Sequence, residues 1–240
     1  MARLRTYLES VSSKQFPHHL FQEEQPVPGQ ATINNQRSSK IQLDTLPLVK
    51  SEKQNLANDL IGLGQGVPFF HAGQDMLRSK SMDRDSYNSG DWFNRLDFTY
   101  SWNNWGAGLP VASKNQDNWP LMQPLLADPA LAPSAADRRL ALADFEALLR
   151  MRRSSPLFRL RDETAVRRHL RFHNTGPSQV PGLVVMSLED PADQLGGPYE
   201  TIVVLFNARV DEARVMLSDF SDMQLAPHPK QPPRMAGEAV

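Results

Sequence analysis

The chain has 240 residues, 40% hydrophobic and 22% charged, enough to bury a sizeable core and too apolar for wholesale disorder. Lys and Arg number 26 against 27 Asp and Glu, so a formal net charge of -1 gives no long-range pull toward nucleic acid or an anionic membrane. The absence of cysteine excludes a disulfide scaffold, a thiol nucleophile and a Cys-bearing zinc site, and no apolar run approaches the roughly 18 residues of a membrane span.

Residues 1–50 are polar and Gln-rich, carry Pro17, Pro26, Pro28 and Pro47, and lack a sustained apolar period, which predicts a poorly ordered arm. Its first twenty residues have few basic groups and include Glu9, so they do not read as a targeting peptide. Ser51-Glu52-Lys53-Gln54 is a capping-box pattern that predicts a helix start, with Leu56, Leu60 and Leu63 on one face. Gly62, Gly64 and Gly66 end that helix, and residues 67–70 predict a short buried strand. Helix, glycines and strand together make one step of an α/β sheet or barrel.

Residues 71–133 have almost no periodicity and much Asn, Asp, Trp, Pro and Gly. So long a connection is either functional or disordered. All four Trp fall between Trp92 and Trp119, and eight aromatics lie between Tyr87 and Trp119. Rings of that size gain too much from burial to stay unfolded, which predicts an ordered, functional loop.

Ser134-Ala135-Ala136-Asp137 predicts a second helix start, with Leu142, Phe145, Leu148 and Leu149 inward and Arg and Asp outward. Beyond it the pattern turns β-like. Residues 166–173, 183–188 and 201–207 predict strands of an antiparallel sheet, with 213–217 as a candidate fourth. The end of the chain, 225–240, holds Pro227, Pro229, Pro232 and Pro233 and predicts a frayed tail.

Three chemistries fail on spacing. The Gly62-x-Gly64-x-Gly66 run follows a helix and precedes a strand, the reverse of a dinucleotide-binding loop. His71 with Asp75, Asp83 and Asp85 fits no helical metal spacing, so a histidine bonded to a neighbour is the better reading, and neither a metal nor a cofactor is called for. No Gly-x-Ser-x-Gly elbow occurs. The segment from Asp83 to Asn94 is richer: carboxylates, a guanidinium, amides and rings lie within twelve positions. Sugars present hydroxyls to polar partners and C–H faces to rings, so this mixture suits a carbohydrate groove. A polar loop held by internal salt bridges is the plainer alternative.

The residues also carry a family likeness. His71-Ala72-Gly73, Leu77-Arg78-Ser79-Lys80-Ser81 and the segment from Asp83 to Asn94 resemble the last barrel strand and following loop of pullulanase-type debranching enzymes. These are α-1,6-glucosidases of the α-amylase superfamily. The resemblance continues through Asn103-Asn104-Trp105-Gly106, Gly108-Leu109-Pro110 and Asn115-Gln116-Asp117-Asn118-Trp119-Pro120. Two later blocks, residues 154–160 and 171–178, resemble the plant and green-algal limit dextrinase branch. The likeness covers residues 51–208.

The resemblance implies the end of a (β/α)8 barrel over 51–155, its active-site-face loop at 71–133, then part of an antiparallel all-β C-terminal domain over 156–224. The barrel itself is incomplete. It implies α-1,6 hydrolysis with retention by a carboxylate nucleophile, a carboxylic general acid and a stabilising Asp, all upstream of Ser51. No His-Asp pair occurs in the sequence, so the stabiliser's signature is missing and no catalytic residue is assigned. Carried over by position, Arg84 and Asp117 match residues that bind glucosyl units on the non-reducing side of the cleavage point, and Asp91, Trp92 and Asn118 belong to the same loop. Gln74-Asp75 departs from the Asp-Glu of plant relatives and alters local charge. An α-glucan, the remaining barrel portion as partner and a plastid location are implied likewise. A non-catalytic glucan-binding or enzyme-associating module is the alternative reading.

Overall fold

The computed structural model describes residues 46–209, 217–220, 223 and 225–231, the side chains of 46–53 and 218 excepted. Residues 1–45 of the predicted arm at 1–50 and 213–216 of the candidate strand at 213–217 lie outside these residues, and 46–50, expected to be poorly ordered, are helical. The chain divides into two compact units. One draws on 56–69 and the chain from 146 onward, the other on 46–55 and 70–145.

Helix α1 runs Leu46–Leu63, starting five positions before the capping-box pattern at Ser51. Pro47 falls in its first turn, where a missing backbone N–H costs nothing, so the helix opens there instead. Its covered face also departs from the leucine stripe. Asn55, Asn58 and Asp59 are buried with Leu63, while Leu56 and Leu60 are half-buried. Asn55 donates its amide to the Asp144 carboxylate, which makes burial of those two polar groups tolerable.

Helix α5, Ala135–Ser154, starts where the sequence predicts. The Ser134 hydroxyl accepts the Asp137 N–H at 3.1 Å, and the Asp137 carboxylate accepts the Ser134 N–H at 2.7 Å, a reciprocal cap. Its buried face is rotated from the expected one. Asp137, Arg138, Ala141, Asp144, Ala147, Leu148, Met151 and Arg152 are buried, and Leu149 is exposed. The polar members hold that face because each has a partner. Arg138 donates to the carbonyls of Tyr100, Pro133 and Ser101 at 2.6–2.8 Å.

In the first unit, Arg152 donates to the carbonyls of Gly62, Gly64 and Gly66 at 2.7, 2.8 and 2.7 Å. These lie at the C-terminus of α1, where carbonyls lack intrahelical partners and a cation is favoured. The glycine run thus offers carbonyls to a guanidinium rather than N–H groups to a phosphate. A Cβ at Gly62 would sit 2.7 Å from Leu148, so that position admits no larger residue without movement.

The predicted strand at 67–70 has no ladder: it carries no regular secondary structure, and no strand pairs with it among the described residues. An extended segment becomes a strand only beside another. The expected strand at 166–173 is also shorter. Helix α6 occupies Glu163–His169, because the Asp162 side chain caps it through Ala165 N–H at 2.8 Å and Arg167 pairs with Glu163 at 2.7 Å.

Strands β1 (Leu170–Phe172), β2 (Leu183–Glu189) and β3 (Thr201–Asn207) then form an antiparallel sheet in the order β1-β2-β3. Leu183 pairs with Asn207 and Glu189 with Thr201, which puts Leu183, Val185, Val203 and Leu205 on one face. They form a core with Leu217 and Phe220. The opposite face carries Met186, Leu188, Ile202, Val204 and Phe206, also buried. A sheet buried on both sides explains why β2 and β3 read as continuous apolar runs.

Candidate functional site

The predicted loop at 71–133 is a chain of short turns. Beyond isolated 3-10 turns it holds α2 (Asp91–Asn94), α3 (Ala112–Asn115) and α4 (Trp119–Ala127). Helix α4 was hidden in the sequence by Pro120 and Pro124, the first tolerated in an opening turn and the second inside the helix.

Asp83 is the hub of the loop. It is buried, and its carboxylate accepts from the Ser89 hydroxyl, the Asp85 N–H at 3.1 Å and the Asn115 amide at 3.2 Å. Burial alone would raise its pKa. The hydrogen bonds from Ser89, Asp85 and Asn115 and the Lys114 charge outweigh it and hold the carboxyl below its ordinary value. Asp85 pairs with Lys114 at 2.9 Å, and that ammonium lowers its pKa in turn. Residues 83–89 are therefore tied to 114–115.

Asparagines and arginines complete the frame. Asn103 donates to Leu77 O at 2.6 Å, and its own carbonyl accepts Ser79 N–H at 2.7 Å. Asn104 donates to the carbonyls of Trp92 and Phe93 at 3.0 and 3.2 Å. Ser81 Oγ donates to Gly108 O at 2.5 Å, Trp119 Nε1 to Pro110 O at 2.8 Å, and Arg78 to Ala72 O at 3.1 Å and Asn94 O at 2.5 Å. Asp97 accepts from Thr99, Ser101 and Trp102, which holds its carboxyl far below the ordinary range. Positive φ at Leu77, Ser81, Met82, Tyr100 and Asn104 concentrates backbone strain in this loop. Each such residue costs on the order of 1–3 kcal/mol and persists only where surroundings over-determine it.

The five predicted ligand residues stand apart from this frame. Arg84, Asp91, Trp92, Asp117 and Asn118 are all exposed. The Asp83–Asn115 and Asp85–Lys114 bonds bring the Arg84 segment beside the one leading to Asp117 and Asn118. Trp92 and Asp91 open α2, which Asn104 pins from behind. No hydrogen bond or ion pair among the described residues joins any two of the five. Buried Asp83, Ser89, Asn103, Asn104 and Asn115 build the scaffold by internal hydrogen bonds, and of the exposed five Trp92 packs its ring against Phe93. The sequence offers Asp83 only as a member of a weak metal set and of the 83–94 segment, and the asparagines only as part of the family likeness, with no scaffold role for any of them. The only signal of that role was the density of Asn, Asp and Ser in an aperiodic run.

The metal alternative loses its ligands to internal bonds. Asp75 accepts from the Tyr100 hydroxyl, and Asp83 and Asp85 are engaged as described. His71 uses its backbone N–H to bond the Gln74 side chain, and burial with nearby Arg78 and Lys80 lowers its ring pKa. A serine–histidine pair lies in the first unit, where Ser154 Oγ and His228 Nε2 are 3.0 Å apart. His228 Nδ1 accepts from Lys230 N–H at 3.1 Å, so Nε2 carries the proton, and Ser154 donates its own to Met151 O at 2.7 Å. That histidine cannot take the serine proton, and the pair is no nucleophile dyad.

The family model for the C-terminal part of pullulanase-type alpha-1,6-glucosidases matches residues 100–237. Over 183 residues the chain is 53% identical to Pullulanase 1, chloroplastic, from Arabidopsis thaliana, covering 74% of this chain and 19% of that protein. It is 37% identical over 168 residues to pullulanase from Klebsiella pneumoniae, covering 69% of this chain and 15% of that one. The solved maltotriose complex of PulA from Klebsiella pneumoniae superposes with a TM-score of 0.61 at 36% identity, covering 67% of this chain and 18% of the other. The chain therefore spans less than a fifth of these relatives. By its matched residues and its fold, this chain belongs to the pullulanase-type α-1,6-glucosidases.

Proposed function

We propose that this chain supplies part of the α-glucan groove of a starch-debranching glycoside hydrolase, and that it does not hydrolyse α-1,6 bonds by itself. The observation that carries the reading is the division of labour in the loop. A buried network fixes the backbone, while the side chains of Arg84, Asp117, Asp91 and Asn118 are exposed and Trp92, seated against Phe93, also remains exposed. Guanidinium, carboxylate and amide groups match sugar hydroxyls, and the indole matches a pyranose C–H face. A relative solved with maltotriose supports an α-glucan as the ligand.

Retaining hydrolysis requires one carboxylate to attack and one carboxylic acid to protonate the leaving oxygen. The loop carboxylates are poorly suited to the second role. Asp83, Asp85 and Asp97 are held below their ordinary pKa by hydrogen bonds and, for the first two, by Lys114. Asp59 is pushed up to about 7 by burial, but it lies on the covered face of α1 without access to a sugar.

Within the 51–155 portion, residues 67–70 read as a barrel strand that calls for neighbours. Val67 and Phe69 are 82% and 84% exposed, a wide apolar display for a segment without ladder bonds among the described residues. This favours a part of a larger barrel over a self-standing binding module. The partner is then the rest of such an enzyme, and the chloroplastic relative supports a plastid location.

The test uses the purified 240-residue chain. Retarded migration in amylopectin gels with no maltotriose released from pullulan is expected. Release above a blank overturns the claim of inactivity, and unretarded migration overturns the groove.

A further inference from the structure

Trp92 is 45% exposed, yet it is held like a buried group. Its ring lies against fully buried Phe93, with centroids 3.7 Å apart and planes inclined by 31°. Its backbone carbonyl accepts from the side chain of Asn104, itself buried. Gly90 adjoins the pyrrole edge, at Cδ1 and Nε1. Gly108 adjoins the benzo edge, where an added Cβ would fall 2.7 Å from Cη2 and 3.3 Å from Cζ3. The Gly108 carbonyl is fixed by the Ser81 hydroxyl at 2.5 Å, and its φ of 154° is one that side-chain-bearing residues rarely adopt. With Phe93 covering one face and glycines bounding both edges, the exposure of the indole falls on the opposite face.

We propose that Gly108 is a positioning residue that presents the free face of Trp92 as a fixed stacking platform for a glucosyl ring. The inference rests on the reading of Trp92 as part of the α-glucan groove. A free surface tryptophan must lose rotamer freedom when a sugar stacks on it; a ring already fixed has lost that freedom before binding. Glycine is required at 108 for two reasons that act together. Any Cβ collides with a ring that cannot retreat into Phe93, and the backbone there disfavours any other residue. Gly108 makes no sugar contact in this scheme. It acts through the indole.

A mutant cycle on the full chain tests this, using W92F, G108A and the double variant labelled with 5-fluorotryptophan. The fluorine line missing in W92F belongs to Trp92. In G108A that line is expected to shift or broaden while those of Trp102, Trp105 and Trp119 stay. Apparent affinity in amylopectin gels is expected to fall roughly three- to tenfold on G108A in the Trp92 background, and far less in the W92F background, whose smaller ring clears the added methyl. An unmoved Trp92 line, or equal losses in both backgrounds, overturns the positioning role. Unchanged retardation in W92F with a shifted G108A line sinks the glucan reading of Trp92 and leaves the ring-holding role intact. Should G108A fail to fold, S81A frees the Gly108 carbonyl without adding an atom and is expected to broaden the same line; a sharp, unmoved line there counts against the proposal.

Discussion

Asn115 reaches across thirty-two positions to donate its amide to the Asp83 carboxylate, and both residues are buried. This bond joins the stretch carrying Arg84 to the stretch carrying Asp117. Replacing Asn115 with Asp sets a second carboxylate against the first and removes a donor. The N115D variant should lose about 1–3 kcal/mol of stability near neutral pH, read by urea unfolding. An unchanged midpoint would show that the two stretches are held by other means.

The Asp83 network also sets a pH limit. Its folded carboxyl titrates below the unfolded value of 3.8, so the native state binds fewer protons there. Its contribution is complete above pH 3.8 and is lost as pH falls through the folded pKa. Amide exchange in residues 83–89 should accelerate under acid, and D83N should flatten that dependence.

Asp59 runs the other way. Burial raises its pKa from 3.8 to about 7, so the folded state holds a proton that the unfolded chain releases. Stability falls as pH rises from about 4 to about 7 and is then constant. D59N should leave stability near pH 4 unchanged and raise it at pH 8 by at most about 4 kcal/mol. Equal midpoints for D59N and the parent chain at pH 8 would count against the buried-acid assignment.

Arg152 offers a geometric test. Its fork takes three carbonyls at the end of α1, a pattern lysine cannot reproduce. R152A should cost on the order of 3 kcal/mol by leaving three carbonyls, that of Gly62 buried, without this donor, and R152K should recover less than half of the loss. Thermal unfolding of both variants distinguishes this from a simple charge effect, which lysine would restore.

His228 predicts loosening of its segment in mild acid. Burial, then the nearby Lys230 charge, lowers its pKa below 6.5, and its Nδ1 must keep a lone pair to accept Lys230 N–H. The unfolded ring protonates first as pH falls, so the contribution present above pH 6.5 fades through the window beneath it. The Lys230 amide signal should lose exchange protection across that window, and H228A should abolish the change.

The antiparallel sheet was legible from residues 183–188 and 201–207 because strands buried on both faces leave unbroken apolar runs. Helix α5 was legible through Ser134 and Asp137, whose cap is local. What failed depended on distant partners. The buried face of α5 includes Arg138 and Arg152, and nothing within the helix announces the carbonyls that make their burial possible. Residues 166–169 alternate like a strand, yet Asp162 and the Glu163–Arg167 pair favour a helix. In the loop, composition pointed to the 83–94 segment as chemically rich, and the family resemblance singled out Arg84 within it and added Asp117. The asparagines that fix it, Asn103, Asn104 and Asn115, were indistinguishable from ordinary loop residues, because their role lies in carbonyls many positions away.

The fastening of this loop also governs where its length can change during divergence. Tyr87 and Asn88 stand exposed between Ser86, which takes the Lys80 ammonium, and Ser89, which bonds Asp83. An added residue at that tip disturbs local turn bonds, from Ser89 N–H to Ser86 O and from Tyr87 N–H to the Asp85 carboxylate. The same insertion at Asn103–Asn104 would throw out of register the bonds to Leu77, Ser79, Trp92 and Phe93 together. Gaps and insertions among descendants of this loop should therefore gather at residues 87–88 and spare 103–104, even where the residue types themselves drift.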